Sequence, residues 1–268
     1  MSTLLISTLS LAVGYVVLVW LLSLVMGRVG IIDAFWGPGF ALIAVLCHFL
    51  TAENGWRRPE SLLLGMIVVW GARLGVHLSI RVFSDPHEDR RYAAMRSKYE
   101  PNWWIKSLGI VFLLQGLIMW FVALPVTTSF AANDGPVIGW MAATGLVFWA
   151  VGLFFETVGD WQLAKFRADA TNSGKVLNAG LWRLTRHPNY FGDCTVWWGL
   201  AIIAFESPSG RFGLIGAAVM TILLLRISGV AFLEKTIIRR RPEYVEYQRV
   251  TSAFIPRLPR RSKSDSHL

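Results

Sequence analysis

Thirteen residues, LWRLTRHPNYFGD from Leu181 to Asp193, hold two arginines, a His-Pro pair, an Asn-Tyr pair and an acid. Guanidinium forks match the oxygens of phosphate. Arg183 and Arg186, with Lys175 just upstream, therefore suit a phosphorylated ligand. Asn172, Asn178 and Asn189 can pair with a nucleobase or carboxamide edge. Pro188 fixes the backbone, and Gly180 and Gly192 permit close approach. Asn189 and Asp193 stand four apart, so a helix starting near Pro188 puts both on one face. There Asp193 would meet Arg226 of the last span.

Other polar residues sit inside apolar runs. Arg73, His77 and Arg81 recur every four residues and share a helix face. Gln115 lies in a later run, Glu156 and Asp160 share a face, and Arg226 is followed two turns on by Glu234. Each costs free energy to bury in lipid. Ion pairing between helices accounts for any one of them. It does not account for their gathering toward the expected cytoplasmic ends, where they would line one polar cavity. A basic loop touching only lipid and water likewise accounts for the charge of residues 165–192. It leaves the His-Pro-Asn-Tyr cluster unexplained.

The elements that carry these groups are apolar helices. Of 268 residues, 54% are hydrophobic and 16% charged, against roughly 25% charged in soluble domains, and the mean hydropathy is +0.49. Blocks of about membrane-spanning length lie near 3–26, 35–52, 61–83, 106–132, 137–164, 193–207 and 212–233. The first is too long for a signal-peptide core and reads as a retained span. The pattern predicts an all-α, polytopic integral membrane protein of about seven transmembrane helices. One membrane domain covers 1–258, and 259–268 is a disordered basic tail.

Lysine and arginine set the orientation. Segment 84–106 carries Arg90, Arg91, Arg96, Lys98 and Lys106, segment 165–192 carries Lys165, Arg167, Lys175, Arg183 and Arg186, and nine more follow Leu233. The connections at 133–136 and 206–211 carry none and one. This alternation puts the N-terminus outside and the C-terminus in the cytoplasm, with the Arg57-Arg58 pair as the misfit. The net charge of +9 is then a topology signal, spread over loops, and argues against a nucleic-acid partner. The expected partners are the bilayer and a hydrophobic small molecule. Cys47 and Cys194 stand alone, so neither a disulfide nor a metal site is expected.

The chain resembles the membrane steroid 5α-reductases in its C-terminal region. GLW at 180–182 leads to NYFGD at 189–193 and then to Trp197-Trp198-Gly199, and Leu225-Arg226 matches a Leu-Arg of the family's last span. Most of the chain resembles a bacterial branch grouped with those reductases, through DAFWG (33–37), ARLGVHLSIR (72–81), EDRRYAAMR (88–96), LLQGLIMW (113–120) and RHPNYFGD. The resemblance implies NADPH held in a cavity open to the cytoplasm of a bacterial inner membrane. It divides the chain into substrate-side spans (1–132) and a cofactor-binding half (137–258). Asn189 and Asp193 would take the nicotinamide side. Asp169, Lys175, Arg183, Arg186 and Arg226 would hold ribose and phosphates, with His187 and Tyr190 in the same lip. Asp193 stands where the steroid enzymes have Glu.

Catalysis departs further. The family's Tyr in a His-Tyr-x-x-Arg stretch is replaced by Leu78, and its second-span Glu has no match between Phe35 and Ala52. Reducing an enone needs a hydride donor and a group that polarises the carbonyl, and Asp33, His77 and Tyr92 are the candidates. The implied substrate class is an unsaturated lipid or isoprenoid ketone.

RHPNY also resembles the isoprenylcysteine carboxyl methyltransferases, which bind S-adenosylmethionine. Glu234 followed by EYVEYQRVTSAFIP at 243–256 partly matches their C-terminal pattern, with Lys235 in place of a second acid. DAFWG and EDRRYAAMR favour the reductase over this alternative. A non-enzymatic lipid-binding protein is a third reading, and the absence of internal repeats counts against a transporter.

Overall fold

A computed structural model describes residues 1–51, 58–132, 139–227, 229–238 and 241–260. Arg57, the 133–136 connection and the tail beyond Arg260 lie outside the described residues. The described residues form helices joined by turns and irregular connections, with one isolated bridge, Thr185 to Ser252. Six helices are long and apolar enough to cross a membrane: Ser2–Met26, Val29–Thr51, Glu60–Ser84, Trp103–Val122, Trp140–Ala168 and Ser209–Ile227. The chain is an all-α polytopic membrane protein. The expected block at 193–207 is the helix Pro188–Ala204, 17 residues long, short of the roughly 20 that span a bilayer. Its first turns carry Asn189 and Asp193, so its apolar run begins only after them.

Two compact units divide the chain, residues 1–143 with 201–216, and residues 144–200 with 217–268. In the first, α1 (Ser2–Met26) ends at Gly27, whose left-handed φ of 66° lets its N–H cap Leu24 and Ser23. A 3₁₀ segment, Val29–Phe35, follows and leads into α2 (Trp36–Thr51) and α3 (Arg58–Ser84). A Cβ on Gly37 would lie 2.2 Å from the Gly71 carbonyl oxygen. The two helices therefore meet backbone to backbone, and only glycine permits it. Helix α4 (Arg90–Tyr99) starts because Asp89 caps it, accepting from the Arg91 N–H. Helix α5 (Trp103–Val122) passes through a π segment at Leu108–Leu113. Val16, Val19, Ile31, Ile32, Tyr92 and Phe112 share one buried apolar cluster. The 3₁₀ segment and α4 are thereby packed on α1 and α5.

In the second unit, α6 (Trp140–Ala168) and α7 (Pro188–Ala204) close on glycines. A Cβ on Gly192 would lie 2.4 Å from the Glu156 nitrogen. The polar connection 169–187 joins them. After the π segment Leu223–Ile227 come α8 (Val230–Ile238) and α9 (Tyr244–Val250). The chain then returns along the connection: Arg186 N–H donates to Ser252 O at 2.9 Å, and Arg257 N–H to Leu184 O at 2.9 Å. Arg260, inside the stretch expected to be disordered, donates its N–H to Val250 O at 2.9 Å.

Candidate functional site

Two polar clusters stand out, one in each unit. The first is built on the turn between α1 and α2. Arg28 donates Nη2 to the carbonyls of Val82, Asp85 and His87 at 3.0, 2.7 and 3.0 Å. Glu88 accepts the Val29 N–H at 2.9 Å and pairs with Arg96 at 3.0 Å. These contacts fix the 3₁₀ segment against the start of α4, and so fix Asp33 beside Tyr92.

Tyr92 is buried and donates its hydroxyl to Asp33 Oδ1 at 2.7 Å. Arg91 Nη2 donates to Asp33 Oδ2 at 2.7 Å. Gln115 of α5 donates Nε2 to the Tyr92 oxygen at 3.3 Å and accepts the Trp36 indole N–H on Oε1. Arg91 also reaches Asp89 at 3.0 Å, as Arg81 does at 3.3 Å. Burial, with the Asp33 charge adding, pushes the Tyr92 phenol well above its ordinary range. For Asp89, burial alone would raise the carboxyl. Hydrogen bonds from Arg91 outweigh it and hold Asp89 below the usual value. Two of the three expected catalytic candidates, Asp33 and Tyr92, are thus in direct contact. His77 lies on α3, half-buried one turn before Arg81, and is not bonded to either of them.

The second cluster centres on Arg186, 8% exposed. Its Nε and Nη2 fork onto Glu234 at 2.7 and 3.1 Å, and its Nη1 donates to the carbonyls of Gln248 and Thr251 at 2.9 and 2.6 Å. His187 meets Glu234 at 3.2 Å and stacks on Tyr190 with ring centroids 5.7 Å apart. Gln248 donates to Glu234 at 2.9 Å, and Tyr247 donates its hydroxyl to the Trp182 carbonyl. Burial alone would raise the Glu234 carboxyl. Hydrogen bonds from His187 and Arg186, and their charge, hold it down at about 2.

The other expected cofactor residues fall into three settings. Lys175 and Arg183 line a cavity of about 590 Å³, together with Asn178, Glu243, Glu246 and Tyr247. Asn189 donates Nδ2 to Asp160 at 2.9 Å and accepts the Tyr190 N–H at 3.1 Å. Asp169 caps its own turn, accepting from Thr171 at 2.7 and 2.9 Å, which lowers its carboxyl. Asp193 is half-buried on α7, and Arg226 is exposed on the π segment. In this unit Arg186 forks onto the half-buried carboxylate of Glu234. Among the described residues no group of His, Cys, Asp and Glu could hold a metal. Asp89, Glu243 and Glu246 had no assigned role in the sequence, and Gln115 was expected only to line a polar cavity. For Asp89 the signal was present, since an acid just ahead of a helical run is an N-cap.

A family profile described as "Protein of unknown function (DUF1295)" matches residues 19–251. The chain is 43% identical over 55 residues to "Probable O-methyltransferase ustE" of Ustilaginoidea virens, covering 20% of this chain and 19% of that protein. It is 28% identical over 67 residues to "Steroid 5-alpha-reductase DET2" of Gossypium hirsutum, covering 25% of this chain and 26% of that protein. These matches span about a fifth to a quarter of either relative's length. No solved structure matches.

Proposed function

The chain belongs to the DUF1295 family, and on that premise we propose that it is a membrane-embedded, NADPH-dependent reductase. It would act on an activated C=C bond in a lipid-like or isoprenoid substrate of a bacterial inner membrane, from seven spans with the C-terminus in the cytoplasm. The observation that carries this reading is the Tyr92–Asp33 pair at 2.7 Å. The steroid reductases, which the sequence resembles, use a tyrosine with a glutamate. Here the same two functional groups come together from other positions in the chain.

A phenol is suited to polarise a carbonyl oxygen, and a carboxylate and a guanidinium beside it fix its orientation. NADPH when bound would supply the hydride. The cofactor-binding half fits such a ligand. Lys175 and Arg183 offer cationic donors on a cavity of about 590 Å³, within the roughly 300–1,000 Å³ of small-molecule sites. Arg241, Arg249, Arg257 and Arg260 add positive charge to the same segment. The substrate side would be the spans up to residue 132, where Asp33, His77 and Tyr92 lie.

A second reading, an S-adenosylmethionine-dependent methyltransferase, is favoured by one specific arrangement. Glu234, held by Arg186 and His187, and the Tyr244–Tyr247 pair at 5.4 Å are the residues through which the C-terminus resembles the isoprenylcysteine carboxyl methyltransferases. The match to a probable O-methyltransferase adds support.

Calorimetry on detergent-purified protein separates the two. The reductase reading expects NADPH to bind more tightly than NADH, and more weakly as salt rises. S-adenosylmethionine binding without NADPH binding overturns it in favour of the methyltransferase.

A further inference from the structure

We infer that Trp36 and Gln115 are positioning residues that set the direction of the hydrogen bonds through the Tyr92–Asp33 pair. An indole N–H can only donate. Trp36 donates to Gln115, so the oxygen of that amide must face Trp36. The amide nitrogen is then turned to Tyr92, 3.3 Å away, and it too can only donate. The phenol oxygen therefore accepts from Gln115. Its single proton is left for the 2.7 Å bond to Asp33.

The other end of the chain gives the same answer independently. Arg91 cannot accept, so its Nη2 donates to the second oxygen of Asp33 at 2.7 Å. A chain with an obligate donor at each end needs one group that only accepts, and that group is Asp33. Both its oxygens receive hydrogen, which is the behaviour of a carboxylate and not of a carboxylic acid. The reverse assignment, a proton on Asp33 given to Tyr92, would leave the buried phenol's own proton without an acceptor, because the other contact of that oxygen is the donor Gln115.

Within the arrangement, Gln115 is a contact that favours negative charge on the phenol oxygen, against the burial and the Asp33 carboxylate that oppose it. When Tyr92 hands its proton to an acceptor, the oxygen left behind already faces the Gln115 N–H. A preorganised donor of this kind lowers the cost of developing charge. Gln115 acts on Tyr92, and Trp36 acts only through Gln115. The direction of the bonds follows from donor and acceptor chemistry alone. Its use in reducing a substrate rests on the reading proposed above.

The test is vibrational spectroscopy on detergent-purified protein without cofactor or substrate. The infrared difference between the parent and Asp33→Asn should show the loss of a carboxylate stretch. Loss of a protonated-carboxyl stretch overturns the inference, because Asp33 would then be a donor. The tyrosine C–O stretch, assigned to Tyr92 by subtraction of Tyr92→Phe, reports whether the phenol accepts as well as donates. Gln115→Leu removes the donor, and Trp36→Phe lets the amide turn over. Each should shift that band in the same direction. An unshifted band in either folded variant overturns the inference, and if Trp36→Phe does not fold, Gln115→Leu decides. Failure of NADPH to bind would sink the reductase reading and leave these spectra unaffected.

Discussion

The clusters around Asp33 and Arg186 use the same ingredients in opposite roles. Around Asp33 the acceptor is central, and donors converge on it from Tyr92 and Arg91. One of those donors is a phenol, which can give its proton away. Around Arg186 the donor is central. Two carboxylate oxygens and two backbone carbonyls of the returning C-terminal segment receive its hydrogens. Of these acceptors the two carbonyls cannot pass a proton on, and the Glu234 carboxylate is kept ionised by Arg186 and His187. A guanidinium so enclosed holds segments together. A carboxylate bonded to a tyrosine can take part in chemistry.

Arg186→Ala should therefore give the largest loss of stability. It leaves the half-buried Glu234 without its main partner, at a cost toward the lower end of the about 3–5 kcal/mol for breaking a buried pair. Thermal unfolding in detergent measures it. If Asp33→Asn costs as much, the contrast fails, because Arg91 is 38% exposed and has Asp89 as a second partner.

The acid limb of stability should belong to the second unit. Glu234 has its carboxyl held at about 2, against an ordinary 4.5. The folded value is the lower one, so its contribution is complete above about pH 4.5 and is lost as pH falls from there toward 2. The partly solvated site reduces this to on the order of 1–2 kcal/mol. Unfolding midpoints between pH 6 and 3 should fall less in Glu234→Gln than in the parent, although that variant starts lower. Equal slopes would mean that the pair carries no acid-sensitive stability.

Tyr92→Phe should cost about 1 kcal/mol, the usual net worth of a hydrogen bond. It should leave NADPH affinity unchanged in calorimetry and, on the reductase reading, remove turnover. The smallest structural effect should come from Lys175→Ala. Stability should change by less than about 0.5 kcal/mol, while NADPH binding weakens and loses part of its salt dependence. Unchanged binding with an unchanged salt slope would exclude Lys175 from the phosphate site.

The apolar helices were legible because lipid demands long uninterrupted runs, and six of the seven blocks correspond to long apolar helices among the described residues. The helix of the short block at 193–207 begins inside the polar stretch, at Pro188, the start that puts Asn189 and Asp193 on one face. Asp33 and Tyr92 were both visible as candidates but could not be joined. They are 59 positions apart, and the Arg28 and Glu88 contacts, with the shared apolar cluster, bring them together. The pairing of Arg186 with Glu234 was not among the expectations for a related reason. Helical spacing puts residues on a face but does not say which face meets which. The orientation of the Gln115 amide needs the indole beside it and has no signature in sequence.

The closure of Arg186 also has a place in time. Its carboxylate partner lies 48 residues further along the chain, and its last carbonyl partner 65. At about 5–20 residues per second of synthesis, those groups are made roughly 2–13 s after Arg186 itself. During that interval the nascent guanidinium has only water, lipid headgroups or the insertion machinery to bond to. A ribosome stalled before Thr251 would leave an inserted chain with an incompletely bonded arginine at the edge of the membrane, recognisable to quality-control proteases as unfinished.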